Sequence, residues 1–250
     1  MEAMILAAGA GTRLRPLTDT IPKALVQVGA RPLLGLVMQR LVELGVDRVI
    51  VNTHSHEDQI VEFLDTHVPA EVEIAISPEP DGPYDTGGGL FAAAHLIREN
   101  RPFLLHNVDV LSLIPLDGLL AAHSEARQRS GEQLLATLAV QARDANRQLL
   151  FDDLGLMGWE NQGSDRTAEG SHQVRDPVGE LTRWSFTGIH VIEPSIFKLS
   201  NRAGTFSIIT LYLELAAQGY FIAPCDVSGH DWIDVGTPER LAEANRLTAD

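Results

Sequence analysis

The stretch AMILAAGAGTRL, residues 3–14, decides the architecture: an apolar run, Ala3–Ala8, breaks directly into glycines. A short aliphatic run stopped by glycine reads as a buried strand. The chain then repeats the theme. Pro32–Leu44 places Leu33, Leu34, Leu36, Val37, Leu41, Val42 and Leu44 at helical spacing, and Gly45 supplies the stop. Arg48–Asn52 predicts a second strand, His56–Thr66 a second helix, and Val72–Ser77 a third strand. Gly88–Arg98 predicts a third helix and Phe103–Asn107 a fourth buried strand. Strands alternating with helices over short connections predict a parallel, doubly wound sheet. Such sheets bind ligands at the carboxyl ends of their strands.

Beyond about Leu116 the pattern changes. Leu119–Arg129 reads as helix and Leu134–Gln141 as strand; Asn146–Asp176 then brings Gly, Asn, Asp and Ser with short apolar runs. Leu149, Phe151, Met157 and Trp159 need packing partners, so the segment reads as a hairpin excursion and not a linker. Trp184–Ile192 returns to strand, Ile208–Ala217 to helix, and Pro238–Thr248 closes with a helix. The expectation is one domain, 1–250, carrying a β-rich insertion at about 143–185. A chain of 250 residues buries enough surface to need no covalent staples.

Charge and composition exclude several functions. Thirty-four acids against nineteen bases give a net charge of −15, a surface that repels nucleic acid and anionic lipid. A single cysteine, Cys225, rules out an internal disulfide framework and a cysteine zinc cluster. No apolar run approaches a membrane span, and the N-terminus lacks a basic leader region, so a cytoplasmic protein is expected. Seventeen of the nineteen bases are arginine; the lysines are Lys23 and Lys198.

An anionic ligand must therefore be held by local positive groups. Small residues at 7–11 let backbone N–H groups approach phosphates, and Arg13 adds a forked cation. The loop is no P-loop, since no Gly-Lys-Ser/Thr follows. Gly9 and Gly11 fit a dinucleotide fingerprint, but Leu14 stands where the third glycine belongs and Asn52 where an acid should end the second strand. A plain structural turn explains a lone Gly-x-Gly as well. Lys23 follows Pro22, whose ring fixes the local backbone. One lysine alone is usually solvated; one aimed from a rigid turn beside an arginine-bearing loop suits a phosphate. Asp109 lies just past the fourth strand and Asp234 sits in WIDVGT. Each alone fits a turn or helix cap; together with the cations they suit a Mg²⁺–triphosphate.

In combination these segments resemble the sugar-1-phosphate nucleotidylyltransferases. The match runs through LAAGAGTRLRPLTDTIPKALVQVGARPLL (6–34), DTGGGL (85–90), HNVD (106–109), FTGIHV (186–191) and WIDVGTPERL (232–241), in order along nearly the whole chain. It is closest to the short N-acetylmuramate-1-phosphate uridylyltransferase-like group, with mannose- or heptose-1-phosphate guanylyltransferases as the alternative. The resemblance implies a Rossmann-like, three-layer, GT-A-like α/β fold with a mostly parallel sheet. It also implies Mg²⁺ and two substrates, a nucleoside triphosphate and a sugar 1-phosphate, with neither nucleic acid nor membrane as partner, in a monomer or homodimer. By position, Gly9, Gly11, Thr12 and Arg13 would cradle the triphosphate, and Lys23 would meet the α-phosphate or the sugar phosphate. Asp109 and Asp234 match the metal ligands. Ala8, Glu79 and Gly87 fall at the base, Asn107 with the nucleotide, and Gly188 at the sugar. A sugar-phosphate oxygen would attack the α-phosphorus in line; Arg13, Lys23 and the metal would offset the repulsion between two polyanions, with Asp109 counted as catalytic for holding that metal.

Departures from the family pattern matter. Val108 replaces a frequent glycine and would narrow the approach to the metal. No lysine lies between 24 and 197, so Arg147, Arg175 or Arg183 would have to supply any second cation. Glu79 could accept two donors from guanine, whereas uracil offers one; the group resemblance favours UTP over GTP. His54 and His56 read as surface or capping residues and His106 as a neighbour of the site. Trp159, Trp184 and Trp232 read as core, with Trp184 beside the expected sugar pocket. A non-catalytic nucleotide or sugar-phosphate sensor need not retain Arg13, Lys23, Asp109 and Asp234 together.

Overall fold

Successive residues of a strand face opposite sides of a sheet, and this chain covers both sides. The computed structural model describes residues 1–161 and 170–247. Its first strands are β1 (Glu2–Leu6), β2 (Gln27–Val28), β3 (Arg31–Pro32), β4 (Arg48–Thr53), β5 (Glu73–Pro78), β6 (Phe103–Asn107) and β7 (Val110–Ser112). There follow β8 (Leu134–Gln141), β9 (Arg147–Asp152), β10 (Gly155–Asn161), β11 (Ser171–Gln173), β12 (Thr182–Ile192), β13 (Phe221–Asp226) and β14 (Trp232–Asp234). The helices are α1 (Leu33–Glu43), α2 (Glu57–His67), α3 (Asp85–Ala92), α4 (Leu116–Ser130), α5 (Ile208–Ala217) and α6 (Pro238–Leu247).

Strands β5, β4, β1 and β6 lie side by side and parallel. Next to β6 comes β12, antiparallel to both β6 and β8, and β13 pairs parallel with β8. The reversal at β12 has a local cause. Among the described residues the chain passes from β8 to β12 through β9, β10 and β11 with no α-helix, and antiparallel neighbours can be joined without a crossover. Ala3, Ile5, Val49, Val51 and Leu104 pack with Leu33, Val37 and Leu41 of α1 and Ile60 of α2. Met4, Ile50, Phe103 and Leu105 pack on the other face with Leu90 of α3 and Leu211, Tyr212 and Leu215 of α5. Burial on both faces is why the strands read as continuous apolar runs. The result is a three-layer α/β sandwich with a mostly parallel sheet.

Most element ends shift by one to three residues from expectation, and two elements, β1 and α3, differ for a visible reason. Strand β1 stops at Leu6 and not Ala8, because the N–H groups of Ala7 and Ala8 turn to the Asn52 side chain. Helix α3 begins at Asp85 and ends at Ala92, followed by a 3₁₀ turn at Ala94–Leu96, where one helix over Gly88–Arg98 was expected. Helix propensity argues against three consecutive glycines, but packing requires them. A Cβ on Gly88 would lie 2.1 Å from the Gly204 carbonyl oxygen, and one on Gly87 2.4 Å from the Phe206 ring.

Within the 143–185 excursion, β9 and β10 form a hairpin that extends from the first residues of β12. Leu150, Leu156 and Met157 are fully buried, and β10 packs against α5 and β13. Residues 162–169 of the excursion, and Thr248 of the expected last helix, lie outside the described residues.

Candidate active site

Because β1, β4, β5 and β6 are parallel, their carboxyl ends share one edge, bringing Ala8, Asn52, Glu79 and Asn107 to one cleft of about 170 Å³. Asn52, at the end of β4, ties this edge together. Its Oδ1 accepts from the N–H groups of Ala7 (2.6 Å) and Ala8 (3.3 Å), and its Nδ2 donates to Glu79 Oε1 at 2.7 Å. The other Glu79 oxygen accepts from the Tyr84 N–H at 2.7 Å. Glu79 is 1% exposed, and its carboxylate fastens the loop before α3 at the wall of the cleft. Gly87 is buried beneath Phe206, with its N–H donating to the Phe206 carbonyl. Gly89 lies so close to the Asn52–Glu79 pair that a Cβ would come within 2.6 Å of Glu79 Oε1. Ala8 lines the cleft with its N–H committed to Asn52.

The glycine loop crosses the mouth of this cleft. Gly9 is exposed and has open space where a side chain would be. Gly11 has φ +61°, and a Cβ there would strike Thr18 Cγ2 at 2.9 Å and the Lys23 stem at 3.0 Å. Thr18 Oγ1 donates to the Gly11 carbonyl at 2.8 Å, pinning the loop to the following turn. Thr12 and Arg13, both exposed, begin a 3₁₀ turn. Lys23 is 9% exposed and its Nζ lies 2.5 Å from Asp109 Oδ2. Pro22, with φ −65°, holds Lys23 at the start of its own 3₁₀ turn. The buried stem and fixed head aim one ammonium at one carboxylate across 86 residues of sequence.

Asp109 stands between this cleft and a second one of about 510 Å³ that also takes in Asn107, Gly188 and Asp234. Strand β14 pairs with β7, matching Asp234 to Val110, and the Val235 N–H donates to the Asp109 carbonyl at 2.8 Å. Gly188, with φ +83°, makes room for Asn107, whose Nδ2 would lie 2.7 Å from a Cβ. Arg13 reaches over Gly236, where a Cβ would meet its Nη2 at 2.9 Å, so the glycine loop and the WIDVGT loop meet. Among the described residues no three His, Cys, Asp or Glu side chains cluster as a complete metal cage. Two carboxylates on one cleft suit Mg²⁺, which takes one or two protein carboxylates and completes its shell from phosphates and water.

The structure corrects the choice of second cation. Arg147 stacks on Trp159 at 4.0 Å, Arg175 donates to both oxygens of Asp152, and Arg183 pairs with Glu160 at 2.7 Å. The cations on the second cleft are Arg143 and Arg240. Arg240 lies 3.7 Å from Asp234. Arg143 stacks on Trp232 at 3.7 Å, and Trp232, not Trp184, lines this cleft. Arg240 sat in the recognised WIDVGTPERL segment, while nothing in the sequence around Arg143 marked it. Val108 is 3% exposed and packs in the apolar core on the α1 side, so it does not project as a plug. His106, beneath the site, donates from Nδ1 to the Asn107 carbonyl at 2.8 Å, and burial lowers its pKa to about 4. His54 Nδ1 bonds the Glu79 carbonyl, and His56 precedes α2 with φ +56°.

A carboxyl-edge cleft with an exposed glycine loop, an aimed lysine and paired aspartates defines an α/β enzyme built to handle nucleotide phosphates. The chain belongs to the nucleotidyl transferase family, whose model matches residues 2–149. It is 32% identical to an N-acetylmuramate alpha-1-phosphate uridylyltransferase of Neisseria meningitidis serogroup B, over 99% of this chain and 98% of that protein. It is 37% identical to a mannose-1-phosphate guanylyltransferase catalytic subunit beta of Danio rerio, over 96% of this chain but 62% of that protein. A crystal structure of UDP-glucose pyrophosphorylase complexed with UDP-glucose shares the fold, with a TM-score of 0.73 at 16% identity over 98% of this chain and 97% of that one.

Proposed function

We propose that this enzyme transfers the uridylyl group of UTP to an N-acetylmuramate 1-phosphate-like sugar, releasing pyrophosphate and forming a UDP-sugar. The observation that carries the reading is the Lys23–Asp109 pair at the junction of the two clefts. One cleft takes the nucleotide and the other the sugar, so the bond-forming oxygen and the α-phosphorus meet beside that pair. Gly9, Gly11, Thr12 and Arg13 hold the triphosphate. Lys23 neutralises the α-phosphate as the anionic sugar-phosphate oxygen attacks it. No general base is required, because that oxygen is already charged at neutral pH. Asp109 and Asp234 would hold Mg²⁺, which screens the two polyanions from each other when bound.

UTP is favoured because two relatives at 32% identity carry the uridylyltransferase name. Both Glu79 oxygens already accept protein hydrogen bonds, so a guanine edge would have to share them. We take 1–250 as one domain whose 143–185 insertion lends Arg143–Asn146 to the sugar cleft. No described helix is long and apolar enough to cross a membrane. A need for nucleoside triphosphate supports a cytoplasmic location, and we take the enzyme to act as a monomer or homodimer.

The test is pyrophosphate release with Mg²⁺ from four nucleoside triphosphates against N-acetylmuramate, glucosamine, glucose, mannose and heptose 1-phosphates. UTP with N-acetylmuramate 1-phosphate should give the largest kcat/KM. Asp109→Asn and Asp234→Asn should each lose most turnover while remaining folded, Asp109→Asn with a lowered melting temperature because it leaves Lys23 without its carboxylate. A GTP preference would overturn the uridylyl assignment, and no release from any pair would favour the sensor.

A further inference from the structure

The sugar-side cleft contains an arginine whose surroundings the reaction itself does not require. Arg143 is half-buried in the turn after β8, and its backbone is pinned on both sides. Its N–H donates to the Gln141 carbonyl at 3.0 Å, and its carbonyl accepts from Ser185 Oγ at 3.1 Å and Gln148 Nε2 at 3.3 Å. The guanidinium carbon lies over the Trp232 ring, 3.7 Å from its centroid, and one Nη donates to the Phe186 carbonyl at 3.0 Å. Trp232 is fixed in turn, its indole N–H donating to the Thr187 carbonyl at 2.8 Å. A planar cation stacked on an immobilised aromatic and held at both backbone ends is pre-organised for recognition.

Its charge is left poorly compensated. Among the described residues the Phe186 carbonyl is the only hydrogen-bond acceptor of the guanidinium, and Nε is buried with none. Burial lowers its pKa; Asp234 opposes that and Arg240 adds to it. Asp234 is also one of the two carboxylates assigned to Mg²⁺, and with its charge directed to a metal, Arg143 and Arg240 face the cleft as uncompensated cations. A sugar whose only acid is its 1-phosphate brings one anionic group to these two cations. Buried arginine forks are satisfied by carboxylates and phosphates.

We propose that Arg143 is the specificity residue that selects sugar 1-phosphates bearing a second acidic group, reading that carboxylate through its stacked guanidinium. The proposal rests on the sugar-1-phosphate transferase reading above and deepens it by naming the chemical class of the sugar. N-acetylmuramate 1-phosphate and N-acetylglucosamine 1-phosphate make the matched pair, since they differ by the lactyl ether that carries the acid.

The experiment compares wild type, Arg143→Gln and Arg143→Lys by kcat/KM with UTP, and by calorimetric binding of each sugar 1-phosphate. Wild type should prefer the acidic sugar. In Arg143→Gln that preference ratio should fall about 10- to 100-fold, as expected for one charge-assisted contact; Arg143→Lys should restore part of it. An unchanged ratio in Arg143→Gln overturns the proposal, whether or not both rates drop together, as does a wild type that prefers the neutral sugar. Turnover of UTP and N-acetylmuramate 1-phosphate with an unchanged ratio would sink Arg143 alone. A wild type without turnover would sink the transferase reading, and the binding ratio would then decide Arg143 by the same criterion.

Discussion

Replacing Asn52 with alanine removes a side chain that is 3% exposed and holds the Ala7 and Ala8 N–H groups and the Glu79 carboxylate at once. The variant should be folded but much less stable. The short Ala7 contact (2.6 Å) leaves a buried donor unpaired, which costs about 1–3 kcal/mol. Glu79, 1% exposed, keeps only the Tyr84 N–H, and losing one bond to a buried charge adds about 1.5–3 kcal/mol. The combined loss is about 3–5 kcal/mol, which for a chain of this length lowers Tm on the order of 10 °C. Urea unfolding followed by tryptophan fluorescence measures it directly. The logic also makes a swap informative. Asn52→Asp alone sets two buried carboxylates against each other, but Asn52→Asp with Glu79→Gln restores every bond with donor and acceptor exchanged. The double variant should recover at least half of the loss of Asn52→Asp, a coupling within the usual ~0.5–3 kcal/mol for contacting pairs. A loss below about 1 kcal/mol in Asn52→Ala, or a swap no better than Asn52→Asp, would refute the idea that this relay fixes the glycine loop to the edge of the sheet.

Lys23→Ala should lower kcat/KM by about 10²–10³, as for loss of one aimed transition-state contact. Lys198→Ala, exposed on the surface 3.5 Å from Glu99, should leave pyrophosphate release unchanged; equal effects would mean the site is misplaced. Gly188→Ala forces a side chain into φ +83° and to within 2.7 Å of Asn107, so it should cost about 1–3 kcal/mol and raise KM for the sugar phosphate more than for the nucleotide. Burial holds His106 near 4 and His190 near 3, both below the ordinary 6.5, so each is neutral in the native fold. The unfolded chain takes up those protons first; stability present above pH 6.5 is therefore lost as pH falls toward 4, by about 1.4 kcal/mol per unit for each histidine. His190→Phe should remove one proton's share of that slope in urea titrations at pH 6.5 to 4.5, and an unaltered slope would count against the buried neutral histidine.

Much of the fold was legible because parallel strands covered on both faces are written as uninterrupted apolar runs. Phe103–Asn107 and Leu134–Gln141 have the bounds read from sequence, and Arg48–Thr53 differs by one residue. Misreadings fell where tertiary contact overrides local preference. Three glycines belong to α3 because Gly204, Phe206 and the Asn52–Glu79 pair leave no room for side chains. The antiparallel course of β12 goes with a β8-to-β12 connection that holds strands and no α-helix among the described residues, which sequence spacing hints at but does not orient.

The site was legible where chemistry and chain geometry coincide. Lys23 follows a proline that fixes its direction, and its partner Asp109 follows a buried strand, so each carried a local mark before the structure joined them. Asn52 carried none of its own. In the sequence it counts only as an amide standing where a dehydrogenase needs an acid, yet that amide supplies both an acceptor for the glycine loop and a donor for Glu79, which a carboxylate could not do at once. The arginines show the same limit from the other side. Seventeen arginines in a chain of net charge −15 mostly have acids to meet, and composition does not say which remain free. Arg175 and Arg183 are engaged by Asp152 and Glu160, and Arg147 lies on Trp159, because the β9–β10 hairpin brings those partners beside them. Arg143 is held by an aromatic ring and a carbonyl, contacts that orient a guanidinium without cancelling its charge. A local positive field on an acidic protein therefore depends on which cations the fold leaves without a carboxylate, and only the packed structure can assign that.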